Sequence, residues 1–124
     1  MFTSDRTFRL WESDVSHSRM LIRSPQGPGI DTNIDIYFKA VEFIHIPTII
    51  RGMTVQTEDT SGYENYIFSN TGRVFKITSA GRDYFVIATW CNIYENNLSI
   101  YESCLANYTQ STPQNDFGNL IMRM

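Results

Sequence analysis

Polar and apolar positions alternate with a period of two along most of this chain, and the clearest run lies between Arg73 and Leu105. Val74-Phe75-Lys76-Ile77-Thr78, then Asp83 to Glu95, then Leu98 to Ser103 are β-branched and aromatic stretches. They are separated by Ser79-Ala80-Gly81-Arg82 and by Asn96-Asn97. Side chains of that kind suit a pleated, half-buried surface, and Gly and Asn supply the backbone freedom of tight turns, so the run predicts three successive antiparallel strands. Within the long middle strand, alternation assigns Phe85, Ile87, Cys91 and Ile93 to one face and Val86, Ala88 and Trp90 to the other, both buried.

The first half reads similarly. Thr7 to Glu12 and Arg19 to Arg23 form a hairpin around the polar stretch Ser13 to Ser18. Ser24-Pro25-Gln26-Gly27-Pro28-Gly29 interrupts regular structure, because proline removes a donor and glycine loosens the chain. Ile34 to Ile46 is the longest extended candidate. Its even positions are apolar except Glu42, and its odd positions turn apolar at Val41 and Phe43, so the strand is either covered on both sides or carries a bulge that exchanges its faces. Pro47 ends it. Arg51 to Gln56 is a shorter strand, Thr57 to Asn65 an acidic connection with room for a turn of helix, and Tyr66 to Ser69 extended again. Asn119 to Met124 docks as an edge strand or short helix. Together these elements predict one domain over residues 1–124, mainly β: a single antiparallel, strongly curved sheet or open β-barrel of about seven or eight strands, with little helix.

Composition narrows the class. A chain of 124 residues, 42% hydrophobic and 14% aromatic, supports one core without metal or disulfide staples. No apolar run approaches the ~18 residues of a spanning helix. The segment Met1 to Thr7 lacks a basic patch followed by an apolar stretch, which predicts a cytoplasmic protein, and Cys91 and Cys104 then read as free, half-buried thiols. Ten basic residues against thirteen acidic give a net charge of −3, and the basic ones are scattered. Phosphate-backbone binding needs a clustered positive stripe, so nucleic acid is not expected as a partner.

Residues able to carry chemistry are few. No phosphate-cradling glycine loop, metal-ligand spacing, cofactor fingerprint or G-x-S-x-G elbow is present, so neither a metal nor a cofactor is expected. His17 shares a loop with Asp14, Ser16 and Ser18, but neighbours in one loop do not converge as a triad with an oxyanion hole, and turn hydrogen bonds explain them. Glu42, an acid among apolar neighbours, would pair with His45 or His17 were this a small hydrolase. Elimination favours a binding protein over an enzyme. Several tyrosines stand beside acids, and the residues assigned to a partner surface are Glu58, Asp59, Tyr63, Glu64, Tyr94, Glu95, Tyr101 and Glu102. A barrel holding a small apolar ligand is a further alternative.

The stretch Trp11-Glu12-Ser13-Asp14-Val15-Ser16-His17-Ser18, followed by Thr32-Asn33-Ile34-Asp35-Ile36, resembles small uncharacterised bacterial proteins that share a W-x-x-D-V-S-H-S opening and a T-N-I-D-I strand. That resemblance implies no activity and transfers no functional residue. In size, acidity and lack of catalytic motifs the chain is also similar to immunity proteins of bacterial toxin systems. This likeness implies a cytoplasmic protein-interaction module that binds and neutralises a basic toxin domain through an acidic, tyrosine-bearing surface.

Overall fold

The structure, a computed structural model, describes residues 1–14, 16–99 and 118–124. Among these residues nine strands follow in chain order: β1 (Phe2–Asp14), β2 (Arg19–Ser24), β3 (Asn33–Lys39), β4 (Phe43–His45), β5 (Ile49–Glu58), β6 (Arg73–Ser79), β7 (Arg82–Ala88), β8 (Trp90–Asn96) and β9 (Asn119–Arg123), with one short 3₁₀ turn at Glu64–Tyr66. They form one antiparallel sheet in the order β4-β7-β6-β5-β1-β2-β3-β8-β9. β4 and β9 end it and do not pair with each other, so the sheet is open. No helix among the described residues is long and apolar enough to cross a membrane.

The chain's own connections require strong curvature. Thr89 alone joins β7, second in the sheet, to β8, eighth. In a flat sheet those strands would lie about 29 Å apart, whereas a one-residue link reaches only about 7 Å. The sheet therefore curls until its ends meet around one interior. Phe8, Met20, Ile22, Ile36, Phe38, Val55, Phe75, Ile77, Val86, Cys91 and Ile93 share a single buried cluster there, onto which Met122 and Met124 pack. With no helical layer among the described residues to cover a face, curling is how this sheet removes its apolar side from water.

Two corners make the curl, and both fall inside stretches whose alternation suggested continuous strands. The β3–β8 ladder ends at Lys39↔Trp90, and the same two stretches resume pairing as β4–β7 at Phe43↔Ile87. Between them Ala40 adopts a left-handed φ of 57°, Thr89 N–H donates to Lys39 O at 3.1 Å and Glu42 N–H to Ile87 O at 2.8 Å. The Ile34 to Ile46 strand is thus two strands broken at Ala40, and no faces are exchanged between them: even positions point inward in both, Phe38 in the core cluster and Ile44 opposite Val86. The Asp83 to Glu95 strand is corrected likewise. Val86 and Ala88 join Cys91 and Ile93 in the interior, while Phe85 and Ile87 turn to the other face. Trp90, expected to be buried, is 48% exposed, with the Lys39 ammonium 5.4 Å from its ring centroid.

Local signals were followed where turns are short. Ala80 and Gly81 both have positive φ, 52° and 74°, as a two-residue type I′ hairpin demands. Gly52, at φ 70°, sits where β5 meets the register shift in β1 between Ser4 and Thr7. Tyr66 to Ser69 is not a strand: Tyr66 ends the 3₁₀ turn and Ile67 to Ser69 is loop. The predicted Leu98 to Ser103 strand lies outside the described residues from position 100 on, as does Cys104.

Candidate interaction face

Two groups of side chains on the sheet's outer face stand out, one buried and one partly exposed, with Phe43, Tyr63 and Phe85 half-buried and Tyr66, His45 and Phe68 exposed. The buried group surrounds β2, β3 and β8. Alternation on these strands points Arg23, Asn33, Asp35 and Tyr94 away from the interior, yet all are buried. Arg23 and Asp35 are directly opposite in the β2–β3 register, and the guanidinium grips the carboxylate twice, Nε to Oδ1 at 2.6 Å and Nη2 to Oδ2 at 2.9 Å. Asn96 Nδ2 donates to Asp35 Oδ2 at 2.8 Å, and Asn33 Nδ2 donates to Asn96 Oδ1 at 2.9 Å. The Trp11 ring lies 5.4 Å from the Arg23 guanidinium. Leu21, Tyr37 and Tyr94 pack together beside this network. Such a bidentate, further hydrogen-bonded pair is what makes a charge tolerable away from water.

The patterns singled out in sequence find structural roles here. Trp11, Asn33 and Asp35 build the network. Asp14 closes the β1–β2 turn, accepting from the Ser16 hydroxyl at 2.7 Å and the His17 N–H at 3.2 Å and pairing with Arg19. Those donors hold the Asp14 carboxyl well below the usual carboxylate range, the Arg19 guanidinium first among them.

The partly exposed group lies at the opposite end of the sheet. Phe43 of β4 stacks on Phe85 of β7, with centroids 5.5 Å apart and planes 11° from parallel. The loop between β5 and β6 folds over these rings: Tyr66 lies 4.6 Å from Phe43, and Tyr63 meets Phe85 edge-on at 5.0 Å. His45 adds its ring 5.4 Å from Phe85. Phe68, 74% exposed, extends from the same loop. Glu42 holds that loop in place. Its Oε2 accepts the Phe68 N–H at 2.7 Å and its Oε1 accepts the Ser69 hydroxyl. A Cβ on Gly72 would come within 2.8 Å of Ile67 and 3.1 Å of Glu42, so the loop's return also needs glycine.

Two carboxylates belong to the same loop as Tyr63 and Tyr66. Asp59 and Glu64 are exposed on the loop, each bonded to a nearby backbone N–H, from Ser61 at 2.7 Å and from Gly62 at 3.0 Å. The Ser61 donors hold Asp59 below its ordinary value. Glu58 is neutralised by Lys76 at 2.7 Å, and this hydrogen bond, with the charge of Asp83 added, pushes the ammonium up.

Of the residues assigned to a partner surface, the structure gathers Glu58, Asp59, Tyr63 and Glu64 on this one face. Tyr94 is corrected: it is 1% exposed and packs against Leu21 and Tyr37. Glu95 accepts the Thr32 hydroxyl at 2.7 Å at the far end of β8. Tyr101 and Glu102 lie outside the described residues. The alternation in β4 and β7 concealed the contributions of Phe43, His45 and Phe85, since apolar residues there read equally well as core.

The residues weighed for hydrolysis are not arranged for it. His17 and Glu42 do line one cleft of about 410 Å³, with Lys39 and Thr89. Both Glu42 oxygens, however, are engaged by the Phe68–Ser69 loop, and the Ser16 hydroxyl lies between Asp14 and His17 Nδ1, at 2.7 and 2.9 Å, in a turn pattern. His45 sits among the aromatic rings. The interior, where an apolar ligand would lie, is occupied by the side chains of the core cluster. Cys91 is a free thiol within that cluster, and burial pushes its pKa far up. Comparison with family models, curated proteins and solved structures finds no match.

Proposed function

We propose that this chain is a cytoplasmic protein-interaction module of the immunity type, an inhibitor that binds a basic toxin domain on the aromatic face between β4, β7 and the β5–β6 loop. The observation that carries this reading is Phe68, 74% exposed on a loop whose Phe68 N–H is held by Glu42 and whose Tyr66 meets Phe43. Water-exposed aromatic clusters cost free energy that association recovers, and rigid rings bordered by charge are the usual anchors of interfaces. Asp59 and Glu64 would speed encounter with a basic partner. Catalysis is disfavoured by the engagement of Glu42 and Ser16 in local structure.

The test is co-purification with a toxin domain encoded beside this gene, using wild type and the F68A/Y66A double variant. Both substitutions are at exposed positions, so folding should persist, while loss of two central aromatic anchors should weaken association by about a hundredfold or more. Unchanged affinity would remove this face from the reading.

A further inference from the structure

We infer that the aromatic face receives an arginine side chain projecting from the partner, its guanidinium lying over the Phe43, Tyr66 and Phe85 rings within reach of Asp59 and Glu64. This rests on the interaction reading above and names the chemistry the face selects.

The rings come first. Phe43, Tyr63, Tyr66 and Phe85 form a contiguous assembly with centroids 4.6 to 5.5 Å apart, set on two paired strands and one anchored loop. A cation over such faces is attracted by the ring quadrupole, more strongly as the site loses water. Elsewhere the chain satisfies its rings in this way from within: Arg23 lies over Trp11 at 5.4 Å, Lys39 over Trp90 at 5.4 Å and Arg73 over Phe75 at 4.9 Å. Among the described residues no cation lies over the Phe43–Tyr66–Phe85 assembly. The nearby cation, Lys76, is directly opposite Phe85 in the β6–β7 register but its ammonium is drawn to Glu58 at 2.7 Å.

Charge points the same way. With Lys76 and Glu58 paired, exposed Asp59, Glu64 and Asp83 leave this face acidic. Their remaining acceptor capacity suits a group with several N–H donors. Arginine fits better than lysine, because its flat, weakly hydrated guanidinium stacks on rings while its edge donates to carboxylates. An anionic or purely aliphatic partner segment would leave the carboxylates unmatched.

The probe is an octapeptide of alternating Gly and Arg, compared with the same peptides carrying Lys or uncharged citrulline, titrated while the ring protons of Tyr63 and Tyr66 are followed by NMR. The expected result is displacement of those resonances by the Arg peptide, with affinity about threefold above the Lys peptide and about tenfold above the citrulline one. Y66A and the D59N/E64Q variant should each weaken the Arg peptide, the first erasing the Arg-over-Lys preference and the second reducing the salt dependence. Absence of binding, equal binding of the citrulline peptide, or equal binding of Arg and Lys peptides would each overturn the inference. Failure is separable from that of the functional reading: a toxin complex lost in F68A/Y66A but indifferent to guanidinium chemistry overturns only this proposal.

Discussion

Replacing Asp35 by Ala leaves the Arg23 guanidinium, 0% exposed, without the carboxylate that it grips through two hydrogen bonds, and frees Asn96 Nδ2 of its acceptor at the same time. Removing one partner of a buried ion pair costs about 3–5 kcal/mol, because the remaining charge stays desolvated. Against a typical domain stability of about 5–15 kcal/mol, that is enough to bring the protein near its unfolding midpoint. Replacing both partners by apolar residues of similar volume, R23M/D35L, removes the buried charge along with its partner. It should restore most of the loss, although Asn96 still loses a partner. Urea unfolding is the assay, and Trp11, 5.4 Å from the Arg23 guanidinium, supplies a local fluorescence signal to compare with circular dichroism. With an urea slope of about 2 kcal/mol per molar, D35A should move the midpoint down by about 2 M. A D35A cost below about 1 kcal/mol, or a double variant as unstable as the single one, would refute the assignment of a tightly coupled buried pair.

Two further outcomes follow from titrating groups. Asp14 ionises in the folded protein well below the ordinary carboxylate value of 3.8, so its contribution to stability is complete above that value and is lost as pH falls through the folded one. Between pH 5 and 2 the wild type should therefore lose more stability than D14N, measured as the melting-temperature difference at each pH. Parallel acid limbs would show that the Arg19 and Ser16 contacts do not favour the ionised carboxyl. Cys91 is buried with its ionisation pushed upward, so in a C104S background its thiol should react with a disulfide reagent at pH 8 only as fast as the protein unfolds. Rapid labelling of the native protein would contradict its place in the core.

The sequence by itself determined the class of architecture and most of the local elements. Period-two alternation and the turn residues located the β1–β2 hairpin, β5 and the Ala80–Gly81 turn, because those features depend on neighbours a few positions apart, while the terminal segment stayed open between edge strand and short helix. The sequence also brought Glu58, Asp59, Tyr63 and Glu64 together, since they lie at the end of β5 and in the loop that follows it. Tertiary structure decided the rest. The corners at Ala40 and Thr89 arise from bending the sheet until its ends meet, a requirement set by all nine strands at once. Arg23 and Asp35 are charged residues on the side of their strands away from the core, and only the β2–β3 register makes them partners that withstand burial. Tyr94 looked like a surface tyrosine beside an acid, and packing on Leu21 and Tyr37 placed it inside. Phe43, Phe85 and Tyr66 come from three separate segments, and no local pattern distinguishes an apolar residue bound for the core from one left at the rim. That distinction follows from which face the curved sheet closes upon, a property of long-range pairing rather than of any stretch of chain.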